Sequence, residues 1–100
     1  MGGIEEMVKK NMRIREILED ENPEALLYDD MDEALIGVYR GDLARQDIRE
    51  SSIAVYSYVK YIEILSREMS EEEAVEYFDF NVAAAYIGKF QPLIIDDTGV

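Results

Sequence analysis

Apolar residues return at close to helical spacing through residues 4–19, IEEMVKKNMRIREILE, where Ile4, Met7, Val8, Ile14, Ile17 and Leu18 fall near one side. Lys9, Lys10, Arg13 and Arg15 alternate with Glu5, Glu6 and Glu16, as on a solvated flank. Asn22-Pro23 ends this first helix, because proline disfavours a helical residue before it. The pattern then shortens. ALIGVYR, residues 34–40, and SSIAVYSY, residues 51–58, are rich in branched and aromatic residues and predict two strands. Gly37 marks a bulge or a close approach in the first. In the second, Ile53 and Val55 alternate with Ala54 and Tyr56. Sequential strands pair antiparallel, here across the mixed-charge connection GDLARQDIRE.

Ser57 caps a second helix in which Tyr58, Tyr61, Ile62, Leu65 and Met69 keep the helical period. The third helix, residues 70–88, has the clearest boundaries. Ser70 and Glu73 form a capping box, acids fill the positive first turn, and Gly88 supplies a left-handed stop. QPLIID, residues 91–96, predicts a third strand with proline at its start. Residues 97–100 read as a frayed tail. The order α-β-β-α-α-β predicts an α+β fold in a single domain over residues 1–100, with three short strands packed on a layer of three helices. Its strand-strand-helix-helix-strand core spans about 34–96.

The third helix keeps too few polar residues for a surface helix. At 100° per residue, Ala74, Val75, Phe78, Val82, Ala85 and Tyr86 make one broad apolar face. Glu72, Glu76 and Asp79 form a narrow polar strip beside it, and Tyr77, Phe80, Ala84 and Ile87 make a second apolar face. Two such faces need two things to pack against. One is the sheet. The other is a second helix of this chain, the reading favoured for a domain of this class, or a partner chain, most simply an identical copy. Asn81 falls on the core side, in a hydrogen-bonded structural role.

Charge changes the picture. The chain carries a net charge of −13, and most of it is local. Residues 21–36 hold Glu21, Glu24, Asp29, Asp30, Asp32 and Glu33 without a base, and residues 69–88 hold Glu71, Glu72, Glu73, Glu76 and Asp79 without one. Between the two blocks acids and bases balance. Such a surface repels phosphate, so direct binding to nucleic acid or an anionic membrane is disfavoured, while basic partners are attracted. The plainer reading is that the charge serves solubility alone. No apolar run is long enough to span a membrane, and MGGIEEMVKK lacks both the apolar core of a signal peptide and the serine or threonine of a myristoylation signal, so a cytoplasmic location is expected.

Chemistry is narrowed by what the chain lacks. Without cysteine or histidine there is no disulfide, no thiol chemistry, no Ser-His-Asp or Cys-His arrangement and no ordinary zinc site. YDDMDE, residues 28–33, is the one candidate metal cluster, with Asp29, Asp30 and Asp32 as oxygen donors. It lacks the glycine and distal glutamate of an EF-hand loop, so a solvated acidic loop is the preferred reading. The tyrosines read as packing residues and not as stacking platforms for bases. Arg40, Arg45 and Arg49 would suit a phosphate, but Asp42, Asp47 and Glu50 interleave with them. No cofactor and no enzymatic activity are expected.

ALIGVYR, IAVYSYVKYIEIL and MSEEEAVEYFDFNVAAAYIGKFQPLII together resemble a family of small proteins encoded by tailed bacteriophages and prophages, over about residues 34–95. In that family a strand pair precedes a tyrosine-led helix, then a Met-Ser-led acidic helix ending in Ala-Tyr-x-Gly, then a proline and an apolar strand. Residues 1–25 fall outside the resemblance, and the connection between the first two strands is long for the family. The resemblance implies a viral origin and a host-cell cytoplasm, and no site or reaction. The expected function is that of an accessory protein acting by protein–protein interaction, with a basic, nucleic-acid-binding surface of a host protein as partner, in host takeover or counter-defence. Glu72, Glu76, Asp79, Tyr77, Phe80 and Ile87 are the expected contact residues, together with the acidic loop at 29–33. A homo-oligomeric scaffold is the alternative, with a homodimer the simplest form. A small-ligand or nucleotide sponge, its pocket lined by tyrosines and Arg40, is the third.

Overall fold

A computed structural model of the chain describes residues 2–40 and 51–100. Arg45, Arg49 and the rest of the connection between the first two strands lie outside the described residues. Helix α1 runs over Gly2–Glu21, strand β1 over Leu35–Tyr39 and strand β2 over Ile53–Ser57. Helices α2 and α3 follow at Tyr58–Leu65 and Glu71–Phe78, and strand β3 closes the order at Leu93–Ile95. The fold is α+β, in the order the sequence predicts, with every boundary but that of α1 drawn in.

The sheet order is β1-β2-β3. β1 and β2 pair antiparallel, as sequential strands should, while β3 returns parallel to β2 after α2 and α3 have crossed between them. In β1 the register steps from Leu35↔Tyr56 to Gly37↔Val55. One residue of β1 is therefore extra, which is a bulge. Gly37 sits at it, but a Cβ there would meet nothing within 4 Å, so the glycine does not serve close approach. In β2 all of Ala54, Val55, Tyr56 and Ser57 are buried. The strand is central and covered on both faces, so its burial does not follow the alternation read from its sequence.

Tyr56 lies at the centre and is fully buried. Its hydroxyl accepts a hydrogen bond from the Tyr28 N–H at 2.9 Å. From Tyr56 the rings of Tyr28, Tyr61, Phe78 and Tyr58 follow in edge-to-face contact, with centroids 5.0 to 5.6 Å apart. Such pairs each add about 0.5–1.5 kcal/mol beyond the area they bury. Burial pushes the Tyr61 hydroxyl up to about 12. This chain of rings ties the segment after α1 to the sheet and to both later helices.

Helix α1 packs through its second half. Asn11, Ile14 and Leu18 are buried, whereas Ile4, Val8 and Met12 are exposed. Its end is stitched to the strands by polar groups. Arg40 donates to both carboxylate oxygens of Glu21 at 2.8 and 2.9 Å, the Ser52 hydroxyl donates to Glu21 at 2.8 Å, and the buried Asn22 donates to the Ser52 carbonyl at 2.8 Å. Between α1 and β1 the short 3₁₀ turn Asp32–Ala34 is held from two sides. Arg15 reaches Asp32 at 2.6 Å, and Arg67 forms a two-pronged pair with Glu33 at 2.7 and 3.2 Å.

Both serine caps form as predicted. The Ser57 hydroxyl accepts from the Lys60 N–H at 3.1 Å, and the Ser70 hydroxyl from the Glu73 N–H at 3.2 Å. The chain beyond β3 corrects the expectation of a frayed tail. Asp97 accepts from the Ser57 hydroxyl at 2.6 Å and from the Val59 N–H at 3.1 Å, so it completes the N-terminal cap of α2.

Candidate protein-binding surface

The third helix is shorter than its sequence suggests. Regular α-helix ends at Phe78, a π-helical turn occupies Asp79–Ala83, and the chain then leaves the helical path. Gly88 is therefore not a helix stop. Alanine-rich sequence would continue a helix, but tertiary bonds override that propensity. The Ile87 N–H donates to the Gln91 side chain at 3.0 Å, and the Phe90 carbonyl accepts from Leu26 N–H at 3.1 Å, which turns the chain back toward β3. Gly88 is still needed as glycine: its φ is +153°, and a Cβ would lie 2.9 Å from Leu26 Cδ1.

One face of α3 is core. Ala74, Phe78 and Val82, four residues apart, are buried. The second apolar face is left largely open, most of all at Phe80. Phe80 is 77% exposed, Ile87 48% and Tyr77 45%, so the expectation that another helix of this chain packs there is wrong. Tyr86, expected on the core face, is 78% exposed, because it lies beyond the helix in the returning segment. Asn81 is also exposed, and its amide donates to the Tyr77 carbonyl at 3.1 Å. It braces the π turn locally and reaches no core group.

The π turn thereby divides two surfaces. On one side Glu76, Tyr77 and Phe80 line a shallow depression with Met69, Glu73 and Asn81. On the other, Asp79 and Val82 face a cleft of about 490 Å³ toward β3, floored by Tyr28, Tyr58 and Phe78. Of the six expected contact residues, the structure thus groups Glu76, Tyr77 and Phe80. It sets Asp79 on the opposite side, while Glu72 and Ile87 line neither hollow. The second cleft had no signal in the sequence, since it depends on how the returning chain meets the end of α3.

Other candidates are engaged elsewhere. Asp32 pairs with Arg15, and among the described residues no group of three or more carboxylates is placed to hold a metal ion, so Asp29, Asp30 and Asp32 do not form the cluster considered above. Asp30 instead adopts a left-handed φ of 60°, a turn conformation that aspartate tolerates. Arg40 is committed to Glu21 and lines neither the cleft nor the depression, which removes it from a tyrosine-lined ligand pocket. Tyr28, Tyr56, Tyr58 and Tyr61 pack in or against the core, while Tyr39, Tyr77 and Tyr86 are exposed. Among the described residues no helix is long and apolar enough to cross a membrane. Comparison with known proteins found no matching family model, curated protein or solved structure.

Proposed function

We propose that this chain acts by binding another protein, through the exposed aromatic surface at the end of α3. The observation that carries the reading is Phe80, 77% exposed beside Tyr77, next to the carboxylates Glu73 and Glu76. Apolar groups supply most of the free energy of association once buried, and exposed aromatic patches with polar rims mark contact sites. The acidic rim selects the partner's charge. A surface with lysine or arginine around an apolar pocket fits, and a phosphate backbone does not. A basic surface of this kind is typical of proteins that bind nucleic acid, and its occupation would exclude that ligand. The reading draws further on the resemblance of residues 34–95 to small phage and prophage proteins, under which the partner would be a bacterial host protein and the chain an accessory factor in takeover or counter-defence.

Capture from bacterial lysate tests this. The expected result is a basic protein that is released by high salt, displaced by duplex DNA, and lost when Phe80→Ser and Tyr77→Ser are introduced together. Capture that ignores both salt and the double substitution removes the reading. The same exposed face supports a second reading, a homo-oligomeric scaffold. Like-charged rims oppose it, because two copies each carrying −13 would be brought together. Light scattering separates the two: a mass of 11.5 kDa at micromolar concentration ends the scaffold reading.

A further inference from the structure

The sheet ends in an edge that the fold leaves open. β2 pairs on both sides, but β3 pairs only with β2, and among the described residues no strand lies along its other edge. An unpaired strand presents a row of main-chain donors and acceptors to any extended segment that approaches. Leu93 and Ile95, on one face of the strand, keep 37% and 40% of their surface exposed. The cleft of about 490 Å³ touches both Leu93 and Ile94. The cleft thus lies beside the strand that carries the open edge.

The charge of the cleft defines the occupant. Two acids, Asp79 and Asp96, line it, and among the described residues no base does. The Thr98 hydroxyl and N–H donate to Asp96 at 2.6 and 3.1 Å, which fixes its carboxylate in place and holds it below the usual carboxylate range. Between the acids the walls are apolar, with Tyr58, Phe78, Val82 and Pro92. A lysine or arginine suits both parts, its stem along the apolar wall and its head at a carboxylate. A second copy of this chain would bring Asp96 and Asp97 instead, like charge against like.

We propose that the open edge of β3 and its cleft receive an extended, lysine- or arginine-containing segment of the partner protein, which joins the sheet as a fourth strand. Main-chain hydrogen bonds to β3 would supply affinity, and alternate side chains entering the cleft would supply selectivity. The proposal rests on the reading above in taking the partner to be basic, and it assigns that partner a second, separate contact.

The probe is a short peptide of alternating valine and lysine, compared with the same peptide methylated on alternate main-chain nitrogens. With the full chain, the unmethylated peptide should bind in a salt-dependent way and slow amide exchange by about tenfold at those of Leu93, Ile94 and Ile95 whose N–H points away from β2. Leu93→Lys combined with Ile95→Lys should weaken binding by about tenfold or more, since both side chains are exposed and their replacement leaves the core alone. Phe80→Ser should leave peptide binding within about twofold, because that ring faces the other surface. Equal binding of the methylated peptide, unchanged exchange at β3, indifference to the double lysine substitution, or a doubled mass without peptide would each overturn the proposal. Loss of lysate capture in Phe80→Ser, with peptide binding intact, supports both contacts. Intact peptide binding with capture that ignores Phe80 defeats the aromatic-face reading alone.

Discussion

Asp97 lies 40 positions from Ser57 and 38 from Val59, yet takes the Ser57 hydroxyl and the Val59 N–H into one carboxylate. Those bonds hold the Asp97 carboxyl below the usual carboxylate range, the Ser57 hydrogen bond being the larger cause. A carboxylate depressed in the folded state contributes stability above its unfolded value and loses it as pH falls through the folded value. Asp97→Ala should therefore cost about 1 kcal/mol near neutral pH, the usual scale for a lost helix cap. The difference from the parent chain in urea melts should shrink below about pH 4 and vanish in stronger acid. Tyr56→Phe probes another single atom. It leaves the Tyr28 N–H without its partner in the core, so a loss of about 1–3 kcal/mol is expected in the same melts. The two capping serines were legible in the sequence because their partners lie three residues on. Asp97, Asn22 and the Glu21–Arg40 pair were not, since their partners are brought near only by the finished fold.

At the scale of elements, periodicity was a good guide to existence and type and a poor guide to ends. Every predicted helix and strand is present, because each apolar repeat has a surface to bury. The third helix failed at its far end. Its repeat continues past Ala83 on paper, but the returning chain must reach Leu26 and β3, and that demand outweighs local propensity. Gly88 was rightly singled out for a special backbone and wrongly placed as a helix stop. Gly88→Ala should cost about 1–3 kcal/mol, mostly from the strained φ, since Leu26 Cδ1 is the end of a flexible side chain. Differential scanning calorimetry reads this directly. At the other end of α3, Ser70→Ala should cost about 1 kcal/mol and speed amide exchange at Glu73, whose N–H the serine holds. An unchanged exchange rate there would mean that the acidic first turn alone secures the helix. The second apolar face was read from the helical wheel as packed, with a helix of this chain favoured as its cover; Tyr77 and Phe80 do share one surface, but that helix does not cover it.

For the whole molecule the net charge of −13 sets the balance of long-range forces. The ion pairs Arg15–Asp32 and Arg67–Glu33 are exposed and weaken as salt rises. Self-repulsion among the remaining acids weakens as well, and there are far more of them. Stability should therefore rise with salt, with a midpoint of thermal unfolding about 5 °C higher at physiological ionic strength than in dilute buffer. A fall would mean that the exposed pairs outweigh the global field. The fold class followed from the order of elements, while the parallel return of β3 and the cleft beside it arise only in three dimensions.

The Ser57–Asp97 contact also bears on how the chain is made. During synthesis the cap of α2, begun locally by Ser57, is completed only by a residue translated 40 positions later. Until then β2 lacks its parallel neighbour, and its main-chain groups on that edge are open to water. Chains truncated before Asp97 should accordingly be more open to proteases at the start of α2 than the full chain.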